Sequence, residues 1–514
     1  MRSSALILVL SGLTLVLGFA VQVALAAALG TSREMDIFLV AVTLPTLLAT
    51  VSITVSSWFL VPALSESLTT HGAAETAALA ATAVRWTGLL AAVAVATLEL
   101  GAGPVVRIVA PGLDPDAAGS AVALLRVMLI GSFFDLLRGV LTAIQYSRER
   151  FFFPQLVPSF NHALLLLSAL FLLKPLGLVG LAAGWSLGSL VMFVALLPAL
   201  QGVSLVRSRP RARSEPDPVR GQLLPILVVA GLTQLAPVVD RLVASLLPGG
   251  SISSLGYGSK MLEILIRMVP MAVTLGAFPV LSRAAAGGDR DRFRTTTLAG
   301  LRWALLGAVP LAFTVLVFRS QIVGVLFERG AFDAEATRNV ARACAWYAVA
   351  FVPAAAVYLL NYVLFALRRT WFLAGAGFAS LALTAALDVV LARALGFIGV
   401  AVAFLVVSTV QAAVLGGHLQ RRGRLFSGGR MVQFAAQVGG GCVSMAAAWA
   451  AIWPVTRPWS ATVPATWLVV NIGAGLAAFV LVLRWLGNAE LRLAMESLSA
   501  KLRGPWRGAR GGNG

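Results

Sequence analysis

The chain has 514 residues, of which 59% are hydrophobic and 12% charged, against a charged share of about 25% in soluble domains. That balance excludes an ordinary soluble enzyme or binding module. The formal net charge of +19 would suggest a nucleic-acid partner in a soluble chain, but here it reads as basic loops and a basic tail facing anionic cytoplasmic lipid, with no nucleic acid expected.

Apolar runs long enough to cross a bilayer, which takes about 20 residues, recur from end to end. They predict an all-α polytopic membrane protein with about 14 transmembrane helices, at 5–29, 37–62, 77–108, 118–146, 153–173, 177–202, 222–247, 254–281, 295–318, 337–366, 370–392, 397–419, 431–454 and 462–485. The first run follows Arg2 like a signal peptide. It is longer than an h-region of about 7–15 residues, so it is read as a retained helix. Pro45, Pro270 and Pro353 interrupt later spans, and such breaks are tolerated where the freed backbone groups face protein or a water-filled cavity. Cys344 and Cys442 lie far apart in apolar segments, and His71, His162 and His418 are scattered. Neither set has the spacing of a disulfide framework or a metal site.

Loops after even-numbered spans are mostly basic: Arg148 and Arg150; Arg207, Arg209, Arg211 and Arg213; Arg290, Arg292 and Arg294; Arg368 and Arg369; Arg421, Arg422 and Arg424. Loops after odd spans are leaner or acidic: Arg33, Glu34 and Asp36; Asp114 and Asp116; Lys174; Arg393; Arg457; the 64–76 loop, after an even span, has no Lys or Arg. This asymmetry predicts both termini in the cytoplasm.

The sequence also echoes itself. WFLVPALSE (58–66) resembles LGAFPVLSR (275–283), placing Pro62 and Pro279 217 residues apart, and LGLVGLAAG (176–184) resembles LGFIGVAVA (395–403) at an offset of 219. These spacings predict two six-helix lobes, 1–202 and 220–420, related as parallel repeats and joined by a basic cytoplasmic linker at 203–219. Two additional helices follow at 421–486, then a basic cytoplasmic tail at 487–514. Twin lobes of this kind point to alternating-access transport.

Charges within apolar spans are costly, about 2.5–3.5 kcal/mol each on the lenient insertion scale, so they mark partners or function. Asp135 and Arg138 are spaced as a same-face ion pair, a structural role. Lys260, Glu263 and Arg267 occupy i, i+3 and i+7 of one helix face, while Asp240, Arg241 and Asp388 add further intramembrane charge. Lys260, Arg267 and Arg241 are the candidates for a cationic cavity that holds phosphate oxygens. Asp240, Glu263 and Asp388 are candidates for ion or proton coupling, or for pairing with those cations.

Four stretches then carry a resemblance to the MurJ/MviN family of lipid II flippases, within the multidrug/oligosaccharidyl-lipid/polysaccharide exporter superfamily. VLGF (16–19) leads to GTSREMDIFLVAVTLP (30–45), with Asp36 and Pro45 at motif positions. GVLTAIQYSRERFFFPQLVPSFN (139–161) ends on Asn161. VVDRLVASLLPGGSISSLGYGSKMLE (238–263) is similar to the seventh and eighth helices. LFERGAFDAEAT (326–337) carries Arg329 and Gly330.

The resemblance implies fourteen helices, a central cationic cavity, and a groove for a polyprenyl tail on the two extra helices. It implies a flippase of the bacterial inner membrane that moves a polyprenyl-diphosphate-linked glycan outward, with no covalent chemistry. Cofactors are not expected; membrane potential, H+ or Na+ would supply the drive. Partners would be membrane lipid, the lipid-linked glycan and cell-envelope biosynthesis proteins, and the chain is expected to act as a monomer. The family's first-lobe arginines fall on Leu15, Val21, Ala49 and Thr50, its eighth-helix arginine on Lys260, and Asp388 stands where asparagine is usual. These departures mark a divergent member whose cargo is lipid II or a related envelope or exopolysaccharide intermediate.

A multidrug or cation antiporter is the alternative within the superfamily, but it favours acidic cavities and about twelve helices. A scaffold role in an envelope complex is a second alternative. A membrane glycosyltransferase would need a large catalytic loop or clustered carboxylates, and the 203–220 stretch contains neither.

Overall fold

In hydrocarbon every backbone polar group needs an internal partner, and the chain meets that demand with helix almost throughout. A computed structural model describes residues 2–203, 220–423, 428–492 and 496, with side chains placed from residue 9 onward except at 220–227, 230, 267, 422–423, 428–430 and 461. No strand occurs among the described residues.

The helices run α1 (Arg2–Leu29), α2 (Arg33–Val55), α3 (Val61–Thr70), α4 (Ala73–Leu100), α5 (Ala102–Val109), α6 (Pro115–Ser147), α7 (Phe152–Leu167), α8 (Leu173–Leu176), α9 (Leu178–Leu196) and α10 (Arg220–Ser245). They continue as α11 (Ser251–Met268), α12 (Pro270–Ala286), α13 (Arg290–Phe327), α14 (Ala334–Ala366), α15 (Thr370–Leu395), α16 (Phe397–Gly423), α17 (Gly428–Thr456), α18 (Trp459–Thr462) and α19 (Pro464–Trp485). Among the described residues thirteen helical stretches are long and apolar enough to cross a membrane. With α10, 26 residues long, the number reaches the fourteen expected.

Two compact units emerge from the packing. One comprises residues up to Gly256 with Phe327–Thr337 and Gly377–Val400. The other comprises Tyr257–Leu326, Arg338–Ala376 and the chain from Ala401 onward. In the first unit α6 is the hub, packed on α2, α4 and α9, while α7 joins α9 to α1. Small residues allow the close approach that helix association in lipid favours. Gly139 of α6 faces Ser52 and Ser56, and Gly131 faces Ser186. In the second unit α17 and α19 form a hairpin in which Trp449 fills the space over Gly475 and Phe479 the space over Gly441.

Several spans are irregular. A π-helical turn, Ser56–Leu60, joins α2 to α3, and another, Ser168–Leu172, follows α7. Val269 (φ −112°, ψ −66°) separates α11 from α12 just before Pro270, the break that the proline predicts. A further kink at Phe318 (φ −98°, ψ 16°) interrupts α13. There the Arg319 guanidinium donates to the Leu316 carbonyl at 2.5 Å, so a side chain has entered the helical hydrogen-bond ladder.

The two LGxxG corners of the sequence repeat share one geometry. Gly177 and Gly396 take φ of 60° and 64°, and Gly180 and Gly399 donate back to them at 3.1 and 2.9 Å.

Candidate transport site

Asp36 and the motif glycines Gly30 and Gly330 gather in one place in the first unit. Asp36, in the first turn of α2, is 4% exposed. Its Oδ1 accepts the Ser253 N–H at 2.7 Å and its Oδ2 the Gly250 N–H at 2.6 Å. Those donors belong to the N-terminus of α11, where unpaired N–H groups and the helix dipole both favour a carboxylate. Around this bond three turns touch backbone to backbone. The Ala331 N–H donates to the Ala27 carbonyl at 2.8 Å. Gly30 and Gly330, both with φ near 60°, leave no room for a Cβ against Ala331 and Ala27 respectively, and Gly250 lies similarly against Thr31. Arg33 pairs with Asp114 at the surface. The motif glycines are therefore points where three chain segments meet.

Deeper in the same unit, α10 and α15 bring Asp240 and Asp388 together. Asp388 is fully buried. No hydrogen-bond donor among the described residues reaches either of its oxygens, and the group it faces is the Asp240 carboxyl. Carboxylates only accept hydrogen bonds, so two facing carboxyls require a proton or a cation between them. Arg241 lies beside Asp240 and its guanidinium bonds the Thr43 hydroxyl of α2. The arrangement can therefore hold a proton or a small monovalent cation.

In the second unit, α11 presents Lys260 and Glu263 from one face. Lys260 Nζ reaches Glu263 Oε2 at 2.8 Å, with the side chains 50% and 42% exposed. The lysine is thus both paired and accessible. The Arg267 side chain lies outside the described residues.

Other motif positions serve the scaffold. Pro45 is buried inside α2; near it the Thr43 and Thr46 hydroxyls donate to helix carbonyls. Asn161, 6% exposed, donates from Nδ2 to the Trp185 carbonyl at 3.2 Å and so fastens α7 to α9. Arg329 stands exposed in the loop that Gly330 turns. Of the positions where the resemblance places first-lobe arginines, Val21 is buried, Leu15 is exposed and Thr50 donates to the Thr46 carbonyl. The expected ion pair is present and buried: Arg138 Nε meets Asp135 Oδ1 at 2.9 Å, and Ser189 donates to Oδ2 at 2.7 Å. Sequence reasoning missed Ser253, Gly250 and Thr43 as partners. The paired glycines of PGG (248–250) are the one signal that pointed to them, because a turn so built admits close backbone approach.

Comparison with known proteins follows the same lines. A lipid II flippase MurJ from Burkholderia cenocepacia is 29% identical over 364 residues, covering 67% of this chain and 70% of that one. A probable lipid II flippase MurJ from Vibrio cholerae is 25% identical over 518 residues, covering 96% and 98%. Among solved structures, a lipid II flippase MurJ in an inward closed conformation superposes with a TM-score of 0.77 at 20% identity, covering 93% of this chain and 98% of that one. An inward-facing multidrug MATE transporter follows at 0.65 and 15%, covering 81% and 94%. These two likenesses speak to the fold. The family model for lipid II flippase MurJ matches residues 25–470, and the chain belongs to that family.

Proposed function

We propose that the chain is an alternating-access flippase that moves a polyprenyl-diphosphate-linked glycan, lipid II or a close envelope relative, from the inner to the outer leaflet. The observation that carries this is the family match along residues 25–470. The protein is a multi-pass component of the bacterial inner membrane, and the basic loops after even-numbered spans support cytoplasmic termini.

Lys260, half-exposed and held by Glu263, receives the diphosphate by charge-assisted hydrogen bonds, with Arg267 of the same helix as a further cation. The α17–α19 hairpin, which exposes Val443, Val469 and Leu481, takes the polyprenyl tail. The Asp240–Asp388 pair couples reorientation to a proton or Na+. Envelope-synthesis enzymes are the natural partners, since one must supply the lipid-linked glycan.

Complementation of a bacterial strain depleted of its own lipid II flippase tests the reading, with Lys260→Ala beside the unaltered chain. Rescue by the unaltered protein and loss of rescue with Lys260→Ala are expected. Failure of the unaltered, correctly inserted protein would move the cargo away from lipid II.

A further inference from the structure

Two basic corners, one in each unit, share a backbone. In the first, the Arg150 N–H returns to the Gln145 carbonyl at 2.9 Å and the Glu149 N–H to the Tyr146 carbonyl at 3.0 Å. In the second, Arg369 returns to Leu364 at 3.0 Å and Arg368 to Phe365 at 2.9 Å. This closure of a helix normally places glycine in the left-handed position. Here Glu149 (φ 59°) and Arg368 (φ 55°) occupy it, the two residues other than glycine with positive φ among those described. Side chains enter that conformation at a cost.

Each corner has contacts to its own unit. Arg148 donates to the Ala199 carbonyl at 3.0 Å, and Phe372 stacks on His418 with ring centroids 3.8 Å apart. The other arginine side chains are left outward. Arg150, Arg368 and Arg369 are exposed, and among the described residues no carboxylate lies within ion-pair range of them. Beside them stand Phe152 and Phe153, more than 40% exposed, and Trp371, 60% exposed.

We propose that the two corners are docking points for anionic phospholipid headgroups. Each corner follows the end of a long apolar helix, α6 or α14, and Trp371 is of the type enriched at membrane–water interfaces, while Phe152 and Phe153 add exposed apolar surface. The guanidinium groups of Arg150 and of Arg368 and Arg369 take the phosphate oxygens in the forked geometry that arginine supplies. A plain topological signal would need charge alone. Rings adjoining unpaired guanidinium groups at both corners add an apolar requirement that a free phosphate does not meet and a phospholipid does. Placement in the cytoplasmic leaflet rests on the orientation proposed above; the binding itself does not.

The test places the full chain in nanodiscs of phosphatidylcholine with and without phosphatidylglycerol, and counts retained phosphatidylglycerol by native mass spectrometry. The unaltered protein is expected to retain it selectively. Retention should fall roughly fivefold for each arginine removed in Arg150→Gln and Arg369→Gln, and should also fall in Phe152→Ser with Trp371→Ser, where the charges remain. Thermal unfolding of each variant verifies that the exposed substitutions leave the fold intact. Equal retention by the unaltered protein and the arginine variants would overturn the proposal. So would displacement of the lipid by millimolar inorganic phosphate, which would mark a simple anion site. Because the readout needs no transport, its failure counts against the corners and not against the flippase reading.

Discussion

The Asp36 carboxylate joins the Ser253 backbone at 2.7 Å, so that the start of α2 closes the N-terminus of α11. Asp36→Asn keeps the shape but removes the charge and turns one accepting oxygen into an NH2 group that faces a backbone N–H. Hydrogen bonds to charged groups contribute about 1.5–3 kcal/mol, and the helix dipole adds about 0.3–1 kcal/mol. Thermal unfolding in detergent should rank the proteins wild type, Asp36→Asn, Asp36→Ala in falling order. An Asp36→Asn protein as stable as wild type would show that the clasp adds nothing to the fold.

Gly330 and Gly177 allow backbone conformation to be separated from contact. Both have φ of 60°, so alanine at either incurs the left-handed cost of about 1–2 kcal/mol. Only at Gly330 does the new Cβ meet a neighbour, the Ala27 carbonyl, whereas the space at Gly177 is open. Gly177→Ala should therefore insert and fold with a modest loss of stability, and Gly330→Ala should lose much more. Equal losses, read as midpoints of thermal unfolding, would remove the close approach of the Gly330 loop to α1.

The sequence made some of this legible and concealed the rest, for physical reasons. Long apolar runs declare helices in any context, and Asp135 with Arg138 could be paired because three residues along a helix return to the same face. Asp36 and Ser253, or Asp240 and Asp388, are joined by tertiary packing alone, and no local period links such distant positions. The Phe318 kink was equally hidden, because its cause is the Arg319 guanidinium on the Leu316 carbonyl and not a proline. The glycines of the motifs were visible as letters; which backbone each one admits was not.

The buried Asp135–Arg138 pair gives a third expectation. Arg138→Met leaves a buried carboxylate with the Ser189 hydroxyl as its remaining partner, and breaking a buried pair from one side costs about 3–5 kcal/mol. Removing both charges in Asp135→Leu with Arg138→Met should recover most of that loss, since two apolar side chains need no partner. A double variant no more stable than Arg138→Met would mean that the pair contributes more than mutual neutralisation.

Asp388→Asn should behave unusually for a substitution at a fully buried site. The amide supplies a donor where two carboxyls now face each other, so the unfolding temperature should hold or rise. Under the coupling proposal the same substitution removes the carrier, and rescue of a flippase-depleted strain should fail or lose its dependence on H+ or Na+. Rescue that keeps an unaltered ion dependence in Asp388→Asn would end the coupling role of this pair.

Lys260 and Glu263 permit a sharper test than deletion, because their roles differ although their bond is shared. If the 2.8 Å ion pair serves only to neutralise two charges in an apolar span, then Lys260→Glu with Glu263→Lys restores it and should restore rescue. If the cation at position 260 meets the diphosphate, the swapped protein carries a carboxylate there and should fail, because like charges facing each other oppose binding. Glu263→Gln alone should then strengthen binding of a diphosphate lipid, since it frees the lysine from competition without moving it. The three variants together distinguish scaffold from site: rescue by the swap with no gain from Glu263→Gln assigns the pair to the scaffold, and the reverse pattern assigns Lys260 to the headgroup. Complementation paired with lipid retention in nanodiscs measures both arms on the same preparations.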